Sequence, residues 1–186
     1  GGDARVLQRA RETMEFFDTR LGRTRDGAFD GYSEQEVPPG AAIPLPRRQN
    51  PHMHLLEALL ALYEASGESF WLQRAGRIFG LFEKHFFDSK TGQLIEFFNL
   101  DWQEVPHGGR RLREPGHFFE WSWLLHRYAA LAGEPRATDA MLKLYGWAWA
   151  HGVERQGAAQ DVVFEELDPE GRIMAQGSKR LWPQTE

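Results

Sequence analysis

The sequence contains no cysteine. That removes disulfides, thiolate nucleophiles and cysteine-ligated zinc together. It also lacks any apolar run near the roughly 18–20 residues that a membrane-spanning helix needs, so no membrane partner is expected. Positive charge is scarce: 22 Lys and Arg against 27 Asp and Glu leave a formal net charge of −5. Nucleic acid is therefore not an expected partner, since binding it requires a basic stripe. The opening Gly1-Gly2-Asp3-Ala4-Arg5 has no signal-like apolar core, and the expected compartment is cytoplasmic. A glycine-rich phosphate loop is missing too, Gly108-Gly109 being too little, and no serine stands in a nucleophile-elbow context.

Aromatic residues are plentiful: seven Trp, thirteen Phe and four Tyr in 186 residues. Such rings fill core seams, and they also line carbohydrate pockets, where a flat apolar face meets sugar C–H groups. For any single ring the core reading is the commoner one. Apolar residues at three-to-four spacing predict helices over residues 4–21, 51–66, 69–87, 115–131 and 135–151. Asn50-Pro51 reads as an N-cap followed by proline at the first helical position. Residues 94–98 and 162–167 read as short strands, and 99–113 as a polar loop. Tyr63 with Gly67-Glu68 recurs about one repeat length later as Tyr128 with Gly133-Glu134, and Gly27 recurs as Gly92. A repeating helix pair must stack on neighbours to bury its apolar faces. The expected fold is all-α, part of a larger ring or solenoid of helix pairs, with short β-hairpin excursions.

Two histidine-bearing helix starts carry the candidate chemistry. In the first, Asn50, His54 and Glu57 share one helix face, while His52 points away from His54. Two histidines at that spacing do not suit a shared metal ion, so no metal is expected. The competing reading makes Asn50 a cap and His54 a satisfied structural histidine. In the second, His117 and Glu120 lie one turn apart. A carboxylate there would raise the imidazole pKa and fix its tautomer, giving a histidine that handles protons near neutral pH. Its competing reading is a local salt bridge. The two helix starts are about one repeat apart, so both imidazoles could face one cavity. His85, His126 and His151 are weaker candidates, and His107 is a candidate substrate-loop residue. Glu57, Glu96, Glu120 and Glu166 offer carboxylates for glycoside hydrolysis, but no spacing selects a pair.

The segments Arg48-Gln-Asn-Pro-His-Met-His-Leu-Leu-Glu-Ala58, Glu114-Pro-Gly-His-Phe-Phe-Glu-Trp121 and Arg180-Leu-Trp-Pro-Gln-Thr-Glu186 resemble, in order and spacing, three signature segments of the N-acylglucosamine 2-epimerase family. The wording is most similar to its mannose isomerase and mannose-6-phosphate isomerase-like members. The resemblance implies an (α/α)6 toroid, of which residues 1–186 would form one partial domain of about half the barrel, truncated at both ends. It implies no cofactor and a proton shuttle through a cis-enediol, returning ketose or the 2-epimer. Asn50 and His54 would bind the sugar and assist ring opening or oxygen protonation. His117 would be the acid/base histidine, oriented by Glu120. Glu57, Trp182 and Glu186 would contribute to substrate binding. Phe118 stands where the family carries a polar residue. The family's other catalytic histidine and an early arginine have no counterpart here, so half an active site is expected, with a sugar or sugar phosphate as ligand and homodimerisation through uncovered helix faces. Arg47, Arg48, Arg110, Arg111, Arg113, Lys179 and Arg180 are all available to a phosphate. The alternatives are 2-epimerisation of N-acylglucosamine or a disaccharide, a two-carboxylate glycoside hydrolase or lyase, and a non-catalytic sugar-binding or interaction scaffold.

Overall fold

The computed structural model describes residues 4–38, 41–42, 44–174 and 179–180. Helix α1 (Ala4–Phe16) runs into a π-helical turn (Phe17–Leu21) and then a hairpin of β1 (Gly22–Arg25) and β2 (Ala28–Tyr32). Asp26 and Gly27 both take positive φ at its turn, 51° and 79°, the conformation that tight antiparallel hairpins favour. The short strand β3 (Arg47–Arg48) leads into α2 (Asn50–Ser66), and α3 (Ser69–Leu81) follows across Gly67. Another π-helical turn (Phe82–Phe86) feeds the hairpin of β4 (Phe87–Asp88) and β5 (Gln93–Leu94), where Gly92 has φ 73°. The repeat seen in the sequence is thus a structural unit of helix, π-turn and hairpin.

Strand β6 (Phe97–Phe98) pairs antiparallel with β3, and the chain then loops to α4 (Pro115–Ala132) and α5 (Pro135–His151). The last strands among the described residues are β7 (Val163–Phe164) and β8 (Lys179–Arg180), paired antiparallel. Helices α2 and α4 end on Gly67 and Gly133, both left-handed, with φ 71° and 66°. Only glycine enters that region without a steric penalty, so the two inter-helix turns close alike.

Helix α2 packs on α3, α4 on α5, and α2 lies beside α4. The seams set the aliphatic face of α2, with Met53, Leu56, Leu59 and Leu60, among rings: Trp71, Phe82, Phe86, Phe98, Phe118 and Trp121 are fully buried. Phe82 stacks on Trp121 at 4.6 Å between ring centres. Most rings are therefore core, as the commoner reading has it. Helix α1 is tied down at one end by Asp18, which accepts from Arg74 at 2.6 Å, and by an Arg11–Glu68 ion pair. Two paired layers of helices with hairpins between them match the expected partial toroid. One local expectation needs correcting: Asn50 is the first residue of α2 rather than its cap, and the preceding Gln49 is already helical, with φ −74° and ψ −34°.

Candidate active site

The β3–β6 pairing brings the starts of α2 and α4 onto one buried polar cluster. Gln49, completely buried, sits at its centre. Its amide nitrogen donates to Glu96 Oε2 at 2.7 Å and lies 3.2 Å from His117 Nδ1, and its oxygen accepts from the Trp121 indole at 2.5 Å. His117 Nδ1 stands 3.0 Å from Glu96 Oε2 and 3.7 Å from Glu114 Oε2. Burial opposes a charged imidazole here. The charge and hydrogen bond of Glu96, with the charges of Glu114 and Glu120, outweigh it and raise the His117 pKa to about 9. At neutral pH His117 is an imidazolium whose Nδ1–H points to Glu96.

The expectation that Glu120 orients His117 is corrected by this geometry. Side chains one turn apart share a helix face, but Glu96 comes straight across from the strand segment and reaches the ring first. Glu120 turns toward α2 instead, with Oε1 3.7 Å from His54 Nδ1. Burial raises the pKa of Glu120, while the His54 and His117 charges oppose the rise. Among the described residues its Oε1 has no hydrogen-bond partner, and neither has Asn50 Oδ1, which is also buried. Buried acceptors left open in this way are what an incoming hydroxyl would satisfy.

His54 is half exposed and also faces Glu57 Oε2 at 3.5 Å. It lines an apolar cavity of about 440 Å³ together with Phe17, Leu21, Tyr32 and Leu55. Asn50, His54, Glu57, His117 and Glu120 are thus collected at two adjacent helix starts. Trp182 and Glu186 lie outside the described residues. His52 turns the other way, as expected: its Nε2 accepts from the Tyr32 N–H at 3.0 Å, and its Nδ1 lies 3.2 Å from the Arg48 carbonyl. Burial depresses its pKa to about 4. Two groupings could hold a metal ion by distance, His54–Glu57–Glu120 and Glu96–Glu114–His117.

Sequence reasoning left Gln49 unassigned and did not distinguish Glu96 from the other carboxylates. One signal was available: Glu96 is a lone charge inside Leu94-Ile95-Glu96-Phe97-Phe98, and a charge buried in an apolar segment requires a partner.

The profile of the N-acylglucosamine 2-epimerase (GlcNAc 2-epimerase) family matches residues 2–186. The chain belongs to that family. Relatives within reach include the mannose-6-phosphate isomerase of Rhizobium meliloti, 39% identical over 157 residues that make up 82% of this chain and 38% of that protein. The D-mannose isomerase of Thermobifida fusca is 32% identical over 72% of this chain and 34% of its own length. The cellobiose 2-epimerase of Bacteroides fragilis is 28% identical over 75% and 34%. The chain therefore spans little more than a third of these relatives. Its fold matches a crystal structure of D-mannose isomerase with TM-score 0.76 over 93% of this chain and 43% of that one, at 20% identity. A GH76 α-mannanase from Bacteroides thetaiotaomicron shares the architecture at TM-score 0.68 and 11% identity, covering 92% of this chain and 43% of that one. Both the helical-toroid fold and the family expected from the three segments are therefore established.

Proposed function

We propose that this chain supplies the acid and sugar-binding part of an aldose–ketose isomerase acting on mannose or mannose 6-phosphate through a cis-enediol. The observation that carries the reading is His117, held as a buried imidazolium by the Glu96 and Glu114 carboxylates beside the His54–Glu120 pair. An imidazolium cannot take the proton from C2 of the sugar. It can give a proton to the ring or carbonyl oxygen as the ring opens and the enediol forms, and recover it when the carbonyl re-forms. The surrounding carboxylates then stabilise the cation against burial between turnovers. Asn50 and His54 bind hydroxyls, and Glu120 orients His54. The proton that moves between C2 and C1 needs a neutral base, which the family resemblance assigns to a second histidine not among these 186 residues.

Three of the relatives are named mannose or mannose-6-phosphate isomerases, at 30–39% identity, which favours ketose over 2-epimer as product. The test is incubation of a chain of the relatives' full length that contains these residues with mannose, and separately with mannose 6-phosphate, in deuterated water, followed by proton NMR. Fructose or its phosphate carrying deuterium on C1, lost on His117→Ala, would support the reading. Appearance of glucose or its phosphate would move it to 2-epimerisation. If neither sugar is converted, nor perturbs the His54 and His117 ring signals, the reading fails.

A further inference from the structure

A separate cavity of about 310 Å³ opens between the first hairpin, the proline-rich stretch before β3, and the Phe97–His107 ring stack. Three guanidinium groups line it, from Arg23, Arg47 and Arg48, and Glu34 is the carboxylate among its lining residues. Two of the three cations are already committed. Arg47 is buried, donates to Asp30 Oδ2 at 2.9 Å and lies 3.4 Å over the Trp102 ring. Arg48 is clamped by both oxygens of Glu34, with Nε to Oε1 at 2.6 Å. Arg113, another cation open to a phosphate on sequence grounds, is consumed by Glu104 at 2.6 Å and Gln93 at 2.8 Å.

Arg23 is different. Its Nη2 donates to the neutral Ser33 hydroxyl at 2.9 Å, and its Nε is buried with no acceptor among the described residues. Among the described residues no carboxylate forms an ion pair with it. Burial depresses the Arg47 pKa, and the charges of Arg25 and Arg23 push the same way, so these cations feel one another. A partly buried guanidinium with an idle donor, set among like charges, is a cost that an arriving anion would relieve. Its planar fork suits two oxygens of one phosphoryl group. The position is also informative. Tyr32, Ser33 and Glu34 line both this cavity and the apolar one that contains His54. The two spaces therefore share one wall, and a ligand held at Arg23 can extend along β2 toward the sugar site.

We propose that this cavity is a phosphoryl-monoester subsite in which Arg23 and Ser33 hold the anionic end of a phosphorylated sugar. The assignment rests on the isomerase reading and selects the phosphorylated substrate over the neutral one.

The experiment uses the intact 186-residue chain. Inorganic phosphate is titrated while the Arg23 Nε–Hε NMR signal is followed, with chloride at matched ionic strength as control. A saturable shift of Arg23, absent with chloride, is expected. No shift, or an equal shift with chloride, would overturn the subsite. Mannose and mannose 6-phosphate are then titrated against the His54 ring signals. Mannose 6-phosphate should bind about tenfold more tightly, as one charge-assisted contact allows. Arg23→Ala should remove that preference, while Arg9→Ala, which removes an exposed charge on α1, should keep it. A preference surviving Arg23→Ala would overturn the subsite and leave the isomerase reading standing. Phosphate binding at Arg23 with no His54 response to either sugar would overturn the phosphorylated-sugar assignment and the isomerase reading, and leave only an anion site.

Discussion

Glu96 controls His117 from 21 residues away in sequence, and that separation explains why the pairing was hidden. Local spacing can only nominate Glu120, one turn along the same helix. The true partner arrives because β3 pairs with β6 and carries Gln49 and Glu96 to the same point, an outcome of long-range pairing rather than helical periodicity. The histidines themselves were legible, since proline-initiated helices place them. Replacing Glu96 by Gln keeps the shape and removes the charge, so the His117 pKa should fall by about 2 units. Glu120→Gln should move it much less, because that charge is the weakest contributor. Imidazole nitrogen chemical shifts followed against pH measure both. A His117 that titrates near 9 in both variants would remove Glu96 from its orienting role.

At the scale of elements, the glycines that close the repeats were readable, and those that permit close approach were not. Gly67 and Gly133 follow apolar helical stretches and mark their ends. Gly31 gave no such signal, yet it has φ 85°, and an added Cβ would lie 2.9 Å from His52 Nε2 and 3.1 Å from the Trp102 ring. Gly31→Ala combines a disfavoured backbone with a clash against two buried rings and should cost about 2–3 kcal/mol, read by urea denaturation. Gly152, just past α5, is the more specific probe of the site. A Cβ there would stand 2.4 Å from Pro115 Cβ, and the proline ring cannot swing aside as a flexible side chain would. Pro115 opens α4, so Gly152→Ala should displace the turn that carries His117. The expected signature is a shifted His117 titration together with lost stability. Lost stability with an unchanged titration would mean that the α4 start is held by other contacts.

For the whole molecule, two buried histidines respond to pH in opposite directions. His52 titrates near 4 when folded, below its usual 6.5, so its neutral form contributes stability above pH 6.5 that is lost as pH falls toward 4. His85, stacked on Trp102 and pushed by burial to about 4, adds to the same loss. His117 is raised to about 9; its contribution is complete below pH 6.5 and lost as pH rises through 9. Considered on these groups, the melting temperature should peak near pH 6.5, and Glu96→Gln should flatten the alkaline side only. The outer surface leads to a separate expectation, one that the sequence anticipated as association without locating the face. Along α5, Leu142, Tyr145 and Trp149 are 60%, 46% and 48% exposed, and they follow one another at helical spacing with the two rings stacked. An apolar stripe of this kind on a helix already packed against α4 drives self-association unless something covers it. Sedimentation velocity should show concentration-dependent dimers, and the pair Leu142→Lys with Trp149→Lys should return the chain to monomer with little change in melting temperature, because both side chains are largely exposed. Dimers that persist in the double variant would place the association surface elsewhere, away from α5.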